Sequence, residues 1–236
     1  MSPDSPLQKT VLLVGASRGL GYAMAEEFVD RGWNVVGTVR GPGRSRLHEL
    51  AQRSAGRIEV ETVDITMPGQ IAALRSRLDG RRIDVLFVNA GVTNNNPNET
   101  IGEVSTEEFI HVMVTNALGP MRVVEALYDV IADDGTIGVM SSGQGSVSNN
   151  TEGKREVYRG SKAALNMFMR SFAARHRTDR RAMALIAPGW IRTDLGGPDA
   201  PFTTEERVPD IVSTLLAVQG TPGLQYLDHL GRTVPW

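Results

Sequence analysis

The chain has 236 residues, of which 41% are hydrophobic and 22% charged, with a formal net charge of −2. That is an ordinary globular composition, long enough for one large domain or two small ones, and the charge points away from nucleic acid and anionic membranes as partners. With no cysteine in the sequence, disulfides, thiolate catalysis and cysteine-ligated metals are excluded. No apolar run approaches the roughly 20 residues that span a bilayer. Residues 1–9 are polar, carry two prolines and lack an apolar signal core. They read as a flexible lead-in, and the chain as a soluble, cytoplasmic protein.

Thr10–Val14 is a short apolar run that predicts a strand. It ends at Gly15-Ala16-Ser17-Arg18-Gly19-Leu20-Gly21, and Tyr22–Val29 then shows helical spacing up to Gly32. A strand, a glycine turn and a helix can present free backbone N–H groups to a phosphate. The spacing is G-x-x-x-G-x-G rather than G-x-G-x-x-G, and a tight turn without a ligand is the alternative. Asn34–Val39 predicts a second strand. An NAD site commonly places an acid at its end to bind the ribose. Here the residue is Arg40, and Arg18 lies in the glycine turn. Two arginines without the acid favour a 2′-phosphate, hence NADP over NAD; the alternative is two solvated arginines.

The alternation continues. Residues 47–54 read as helix, Ile58–Val63 as strand ending at Asp64-Ile65, and residues 70–78 as helix. Val85–Val88 is a continuous apolar run, as in a strand buried on both faces, and ends at Asn89-Ala90-Gly91. Asn94–Asn98 is a polar loop. Ser105 and Glu108 form a capping box for a helix expected to run to about Ile131 and to contain Asn116. Asp133-Asp134-Gly135 reads as a turn before a strand over Thr136–Met140, which delivers Ser141, Ser142 and Gly143. A helix follows to about Arg175, then a strand over Ala182–Ile186 that ends at Pro188-Gly189-Trp190. Thr203–Glu206 caps a helix to about Val218, and Leu224–Leu227 is the last strand. Regular alternation predicts an α/β fold: a single-domain, Rossmann-type doubly wound sheet of about seven mostly parallel strands with helices on both faces. Ligands bind such sheets beyond the carboxyl ends of the strands.

Tyr158 and Lys162 are four apart, on one face of a helix. An ammonium beside a phenol favours the phenolate, so this tyrosine could exchange a proton near neutral pH. The alternative is a solvated pair. No residue cluster suits a metal. The histidines at 48, 111, 176 and 229 are scattered and read as structural or solvated.

These pieces, in this order over nearly the whole chain, resemble the short-chain dehydrogenase/reductase family: Gly15–Gly21, Asp64, Asn89-Ala90-Gly91, Asn116, Ser142, Tyr158-x-x-x-Lys162 and Pro188-Gly189. Residues 188–197 and 226–236 further resemble the branch of C-factor-like proteins and sniffer-type carbonyl reductases. The resemblance implies hydride transfer between NADP(H) and a small to medium carbonyl or alcohol. It implies Tyr158 as proton donor and acceptor, Lys162 as the group that lowers its pKa and binds the nicotinamide ribose, and Ser142 on the substrate carbonyl. It also implies Asn116 holding a relay water. Gly15, Ser17, Arg18, Gly19, Leu20 and Gly21 would cradle the cofactor phosphates. Asp64 and Ile65 would meet adenine. Asn89, Ala90 and Gly91 would border the cofactor from the central strand, and Pro188, Gly189, Ile191 and Thr193 the nicotinamide.

The loop over residues 194–204 is short for a substrate lid and would leave an open pocket, which Gln144, Trp190 and Phe202 could line; packing residues are the alternative. The resemblance also implies a homodimer or homotetramer through the helices carrying Asn116 and Tyr158. A second reading is a cofactor-binding signalling protein of the C-factor type with little turnover.

Overall fold

The structure, a computed structural model, describes residues 8–236. The first seven residues of the expected lead-in lie outside the described residues. Gln8 donates to the Gly32 carbonyl at 2.9 Å, and the Lys9 ammonium lies over the Trp33 ring.

Among the described residues seven strands form one sheet in the order β3-β2-β1-β4-β5-β6-β7. They are β1 Thr10–Val14, β2 Asn34–Val39, β3 Ile58–Thr62, β4 Ile83–Val88, β5 Ile131–Met140, β6 Ala182–Ala187 and β7 Gly223–Asp228. Every pairing is parallel. The sequence reason is visible in β1, where Leu12 and Val14 face one core cluster and Val11 and Leu13 the other. A strand apolar on both faces needs helices on both faces.

Those helices are α1 Gly19–Asp30, α2 Arg46–Arg53 and α7 Thr204–Ala217 on one side, and α3 Pro68–Arg77, α5 Gly119–Leu127 and α6 Glu156–Arg175 on the other; α4 Thr106–Met113 precedes α5. Met24 and Phe28 of α1, Leu47 of α2 and Leu215 of α7 are fully buried on the first side, as are Leu74, Val123 and Phe172 on the second. Each such large side chain contributes about 1.5–3 kcal/mol by leaving water.

Two boundaries differ from the sequence expectation. The turn at 133–135 lies inside β5. Ile83 pairs with Ile131 and Val85 with Thr136, so the single residue Asp84 faces the excursion that carries Asp133 and Asp134 into solvent. The helix containing Asn116 is not one helix. Between α4 and α5 the chain widens into a π-helical turn at Val114–Leu118, with Asn116 at its centre. Pro120 supplies the reason: it has no N–H to offer the carbonyl four residues back, which is that of Asn116.

Candidate active site

The strand order reverses between β1 and β4, and there a cleft of about 1090 Å³ opens at the carboxyl ends of the strands. One flank is the glycine turn. Gly15 has φ +89°, and a Cβ there would meet the Ala90 backbone at 2.9 Å. A Cβ on Gly21 would lie 2.1 Å from the Gly15 carbonyl oxygen and 2.7 Å from Asn89 Nδ2. Gly21 is therefore a packing residue behind the turn. Gly15 N–H donates to Thr38 Oγ1 at 3.0 Å, Ala16 N–H to the Thr38 carbonyl at 2.8 Å, and Asn89 Nδ2 to the Gly15 carbonyl at 2.9 Å. So β2 and β4 hold the turn at the edge of β1. Arg18 is the cap residue of α1, and no side chain among the described residues caps that helix start. Its first N–H groups therefore face the cleft with the positive end of the helix dipole, as a bound phosphate requires.

Beyond this turn the cleft is lined by Arg40 and Asp64. Arg40 is exposed and makes no ion pair among the described residues. Asp64 accepts from Thr66 N–H at 2.9 Å and Thr66 Oγ1 at 2.7 Å. Burial pushes its carboxyl up, but these bonds, with Arg40 and His111 nearby, outweigh burial and hold it below its ordinary value. Arg18 instead reaches across the cleft to Asp194 at 2.5 Å, in a pair that is largely exposed. The sequence expectation put Arg18 beside Arg40 on one phosphate; Arg18 lines the same cleft and is paired there with Asp194.

The other flank carries the titratable groups. Tyr158, in the first turn of α6, is buried and lines the cleft together with Ser142. Burial pushes its phenol above its ordinary value; the neighbouring Ser142 side chain and the Arg155 charge pull it back without prevailing. Lys162 is also buried. Its ammonium donates to the Met140 carbonyl at 2.9 Å, and burial brings its pKa down to about 8. The expected lowering of the phenol by Lys162 is thus not what these groups produce by themselves. Burial acts on both, and the cation that pulls on Tyr158 is Arg155.

Ser141 and Ser142 have different jobs. The Ser141 hydroxyl is buried and donates to Asn166 Oδ1 at 2.6 Å. Ser142 Oγ accepts from Gln144 N–H at 3.1 Å at the cleft wall, and its carbonyl accepts from the Tyr226 hydroxyl. Gly91 lies between these groups: a Cβ there would sit in ordinary contact, 3.4 Å from Asn116 Oδ1 and 3.5 Å from Lys162 Nζ.

A family model described as short chain dehydrogenase matches residues 9–202. The chain belongs to the short-chain dehydrogenase/reductase family. A chain assigned as a short-chain dehydrogenase/reductase from Burkholderia multivorans, with bound NADP, is 62% identical over 97% of this chain and 100% of that one, with a TM-score of 0.96. A carbonyl reductase from Pseudomonas aeruginosa in complex with NADP is 32% identical over 97% and 100%, with a TM-score of 0.90. The C-signal of Myxococcus xanthus is 33% identical over 156 residues, 65% of this chain and 93% of its own.

Within this short-chain dehydrogenase/reductase the cleft brings together Ser17, Leu20, Ile65, Ala90, Pro188, Gly189, Ile191 and Thr193 with the residues above. Gln144 and Trp190 also line it; Trp190 is half exposed, with its indole N–H on the Gly196 carbonyl at 2.7 Å. Three expected residues are not on the wall. Gly21 packs behind it. Phe202 bridges to Ile191 and carries the Arg207 guanidinium on its ring, which ties the 194–204 loop to its surroundings. Asn116 is fully buried: its side chain donates to the Val92 carbonyl at 2.8 Å and Ser161 Oγ at 2.9 Å and accepts from Val92 N–H at 2.8 Å. Thr38, His111 and Arg155 line the cleft unanticipated. Only Arg155 carried a sequence signal, a cation three residues before Tyr158. Among the described residues no group of three metal-ligating side chains converges and no helix is long and apolar enough to cross a membrane.

Proposed function

We propose that this enzyme is an NADP(H)-dependent reductase of small to medium carbonyl compounds. The observation that carries the reading is Ser142, Tyr158 and Lys162 lining one cleft, with Lys162 one turn from Tyr158, in the same cleft as an uncapped helix start and an Arg40 that makes no ion pair among the described residues. The cradle fits a phosphorylated dinucleotide. Glycines at 15 and 21 keep the turn tight, α1 N–H groups take the pyrophosphate, Asp64 stays ionised for a hydroxyl or amine, and Arg40 takes the 2′-phosphate. The nicotinamide supplies hydride when bound.

The chain's own residues manage the oxygen and the proton. Ser142 and Tyr158 donate hydrogen bonds to the substrate carbonyl and stabilise the negative charge that develops there. Tyr158, kept protonated by burial, then gives its proton to the alkoxide. The Lys162 ammonium binds the ribose and favours the resulting phenolate. Both side-chain donors of Asn116 are used, on Val92 and Ser161, so its part in a proton relay falls to its main chain in the π-helical turn.

Phe109 and Ile110 on α4 and Met167 and Phe168 on α6 are exposed apolar side chains. They support self-association through these helices. The test is a fluorescence titration with NADPH and NADH side by side, on a sample sized by light scattering. NADPH should bind at least tenfold tighter, from a dimer or larger species. Preference for NADH would move Arg40 out of the cofactor site, binding of neither would overturn the dinucleotide site itself, and a monomer would contradict self-association.

A further inference from the structure

Arg155 is held in an unusual way. It precedes α6 with φ 52°, directly after Lys154 at φ 60°. Neither is glycine, and such left-handed residues cost about 1–3 kcal/mol each unless their surroundings enforce them. The Arg155 N–H donates to the Pro97 carbonyl at 3.1 Å, which fixes the bend. The bend folds the side chain back over Tyr158, with the guanidinium carbon 5.1 Å from the ring centre. There it lines the cleft.

The guanidinium is also under-used. Nη2 reaches Thr93 Oγ1 at 3.4 Å, Nε is buried without a partner, and no carboxylate among the described residues lies within ion-pair distance. Other arginines that reach into the protein are paired with acids, as at Arg31 with Glu27, Arg75 with Asp129 and Arg181 with Asp179. A partly buried cation with free N–H groups and no counterion gains a full charge-assisted pair when an anion enters. A planar guanidinium fork matches a carboxylate.

We propose that Arg155 anchors a carboxylate on the substrate, so that this reductase acts on oxo acids in preference to neutral carbonyl compounds. The assignment rests on the reductase reading above and narrows its substrate class. Stacking places the guanidinium against the tyrosine whose hydroxyl addresses the reacting oxygen. One small molecule can therefore meet both groups if its carboxylate lies a few carbons from its carbonyl. The same stacking means that loss of Arg155 also disturbs Tyr158, so the diagnostic quantity is a ratio between two substrates and not a rate.

The experiment uses the full chain with NADPH and three oxo acids of increasing spacing, pyruvate, acetoacetate and levulinate, each beside its methyl ester. The wild type should favour the acid for at least one spacing. Arg155→Met should lower the acid-to-ester ratio of kcat/KM for that pair by about ten- to a hundredfold, mostly through KM, with Arg155→Lys in between. An equal loss on acid and ester, or preference for the esters at all three spacings, overturns the anchor. Acid binding to the NADP-loaded Tyr158→Phe variant, with and without Arg155→Met, supplies a second readout by calorimetry. If no compound is reduced but the acids bind in an Arg155-dependent way, the anchor stands and the reductase reading fails. If only esters are reduced, the reductase reading stands and the anchor fails. If no acid binds, the anchor is overturned.

Discussion

Around the glycine turn the cleft is shaped by backbone, and around Tyr158 it is shaped by burial and charge. On the first flank Gly15 and Gly21 matter for what they lack, since an added Cβ strikes a neighbouring main chain, that of Ala90 or of Gly15 itself. On the second, Tyr158 and Lys162 are buried polar side chains whose protonation is set by exclusion of water, with the Arg155 charge acting on Tyr158. The lesson is that the two flanks fail differently. Damage to the first is steric and removes binding and stability together. Damage to the second is chemical and leaves the fold in place.

Gly21→Ala should give the larger of two expected effects. Its Cβ would overlap the Gly15 carbonyl and push on Asn89, which calls for about 3 kcal/mol of destabilisation. Urea unfolding should show it, together with loss of dinucleotide binding. Full stability with binding intact would break the comparison. On the opposite flank the expected effect is smaller and depends on pH. The pKa of Lys162 is depressed to about 8. The ammonium is therefore present below pH 8 and lost as pH rises through it, whereas burial keeps Tyr158 protonated over that range. NADPH affinity should fall by about tenfold as pH rises through 8, the scale of one charge-assisted hydrogen bond. A midpoint near 10.5 would mean that burial does not control Lys162.

Legibility follows the same division. The glycine turn, the strand ends at Asn89 and Ser142, and the Tyr158–Lys162 pair were readable because backbone requirements and helix periodicity leave fixed spacings. The parallel sheet was readable from strands apolar on both faces. The excursion in β5 was not, because it depends on one residue of β4 facing several of its partner. The π-helical turn at Asn116 had a signal in Pro120, four residues on, which looks like any helix proline until its missing N–H is traced to one carbonyl. The sign of the Tyr158 shift was misjudged because sequence spacing reports a neighbouring charge but not burial, and burial is the larger effect. Phe202 was misplaced for a similar reason: nothing in its neighbours reveals that Arg207 covers its ring.

The most direct test of the central claim is Tyr158→Phe, assayed for NADPH-dependent reduction of the best substrate and for NADPH binding on the same sample. Removal of one hydroxyl should lower kcat by about a thousandfold, within the range for loss of a general acid, while the NADPH dissociation constant changes less than about threefold, or 0.6 kcal/mol. Reduction at near wild-type rate in that variant would show that the proton comes from elsewhere and would contradict the account.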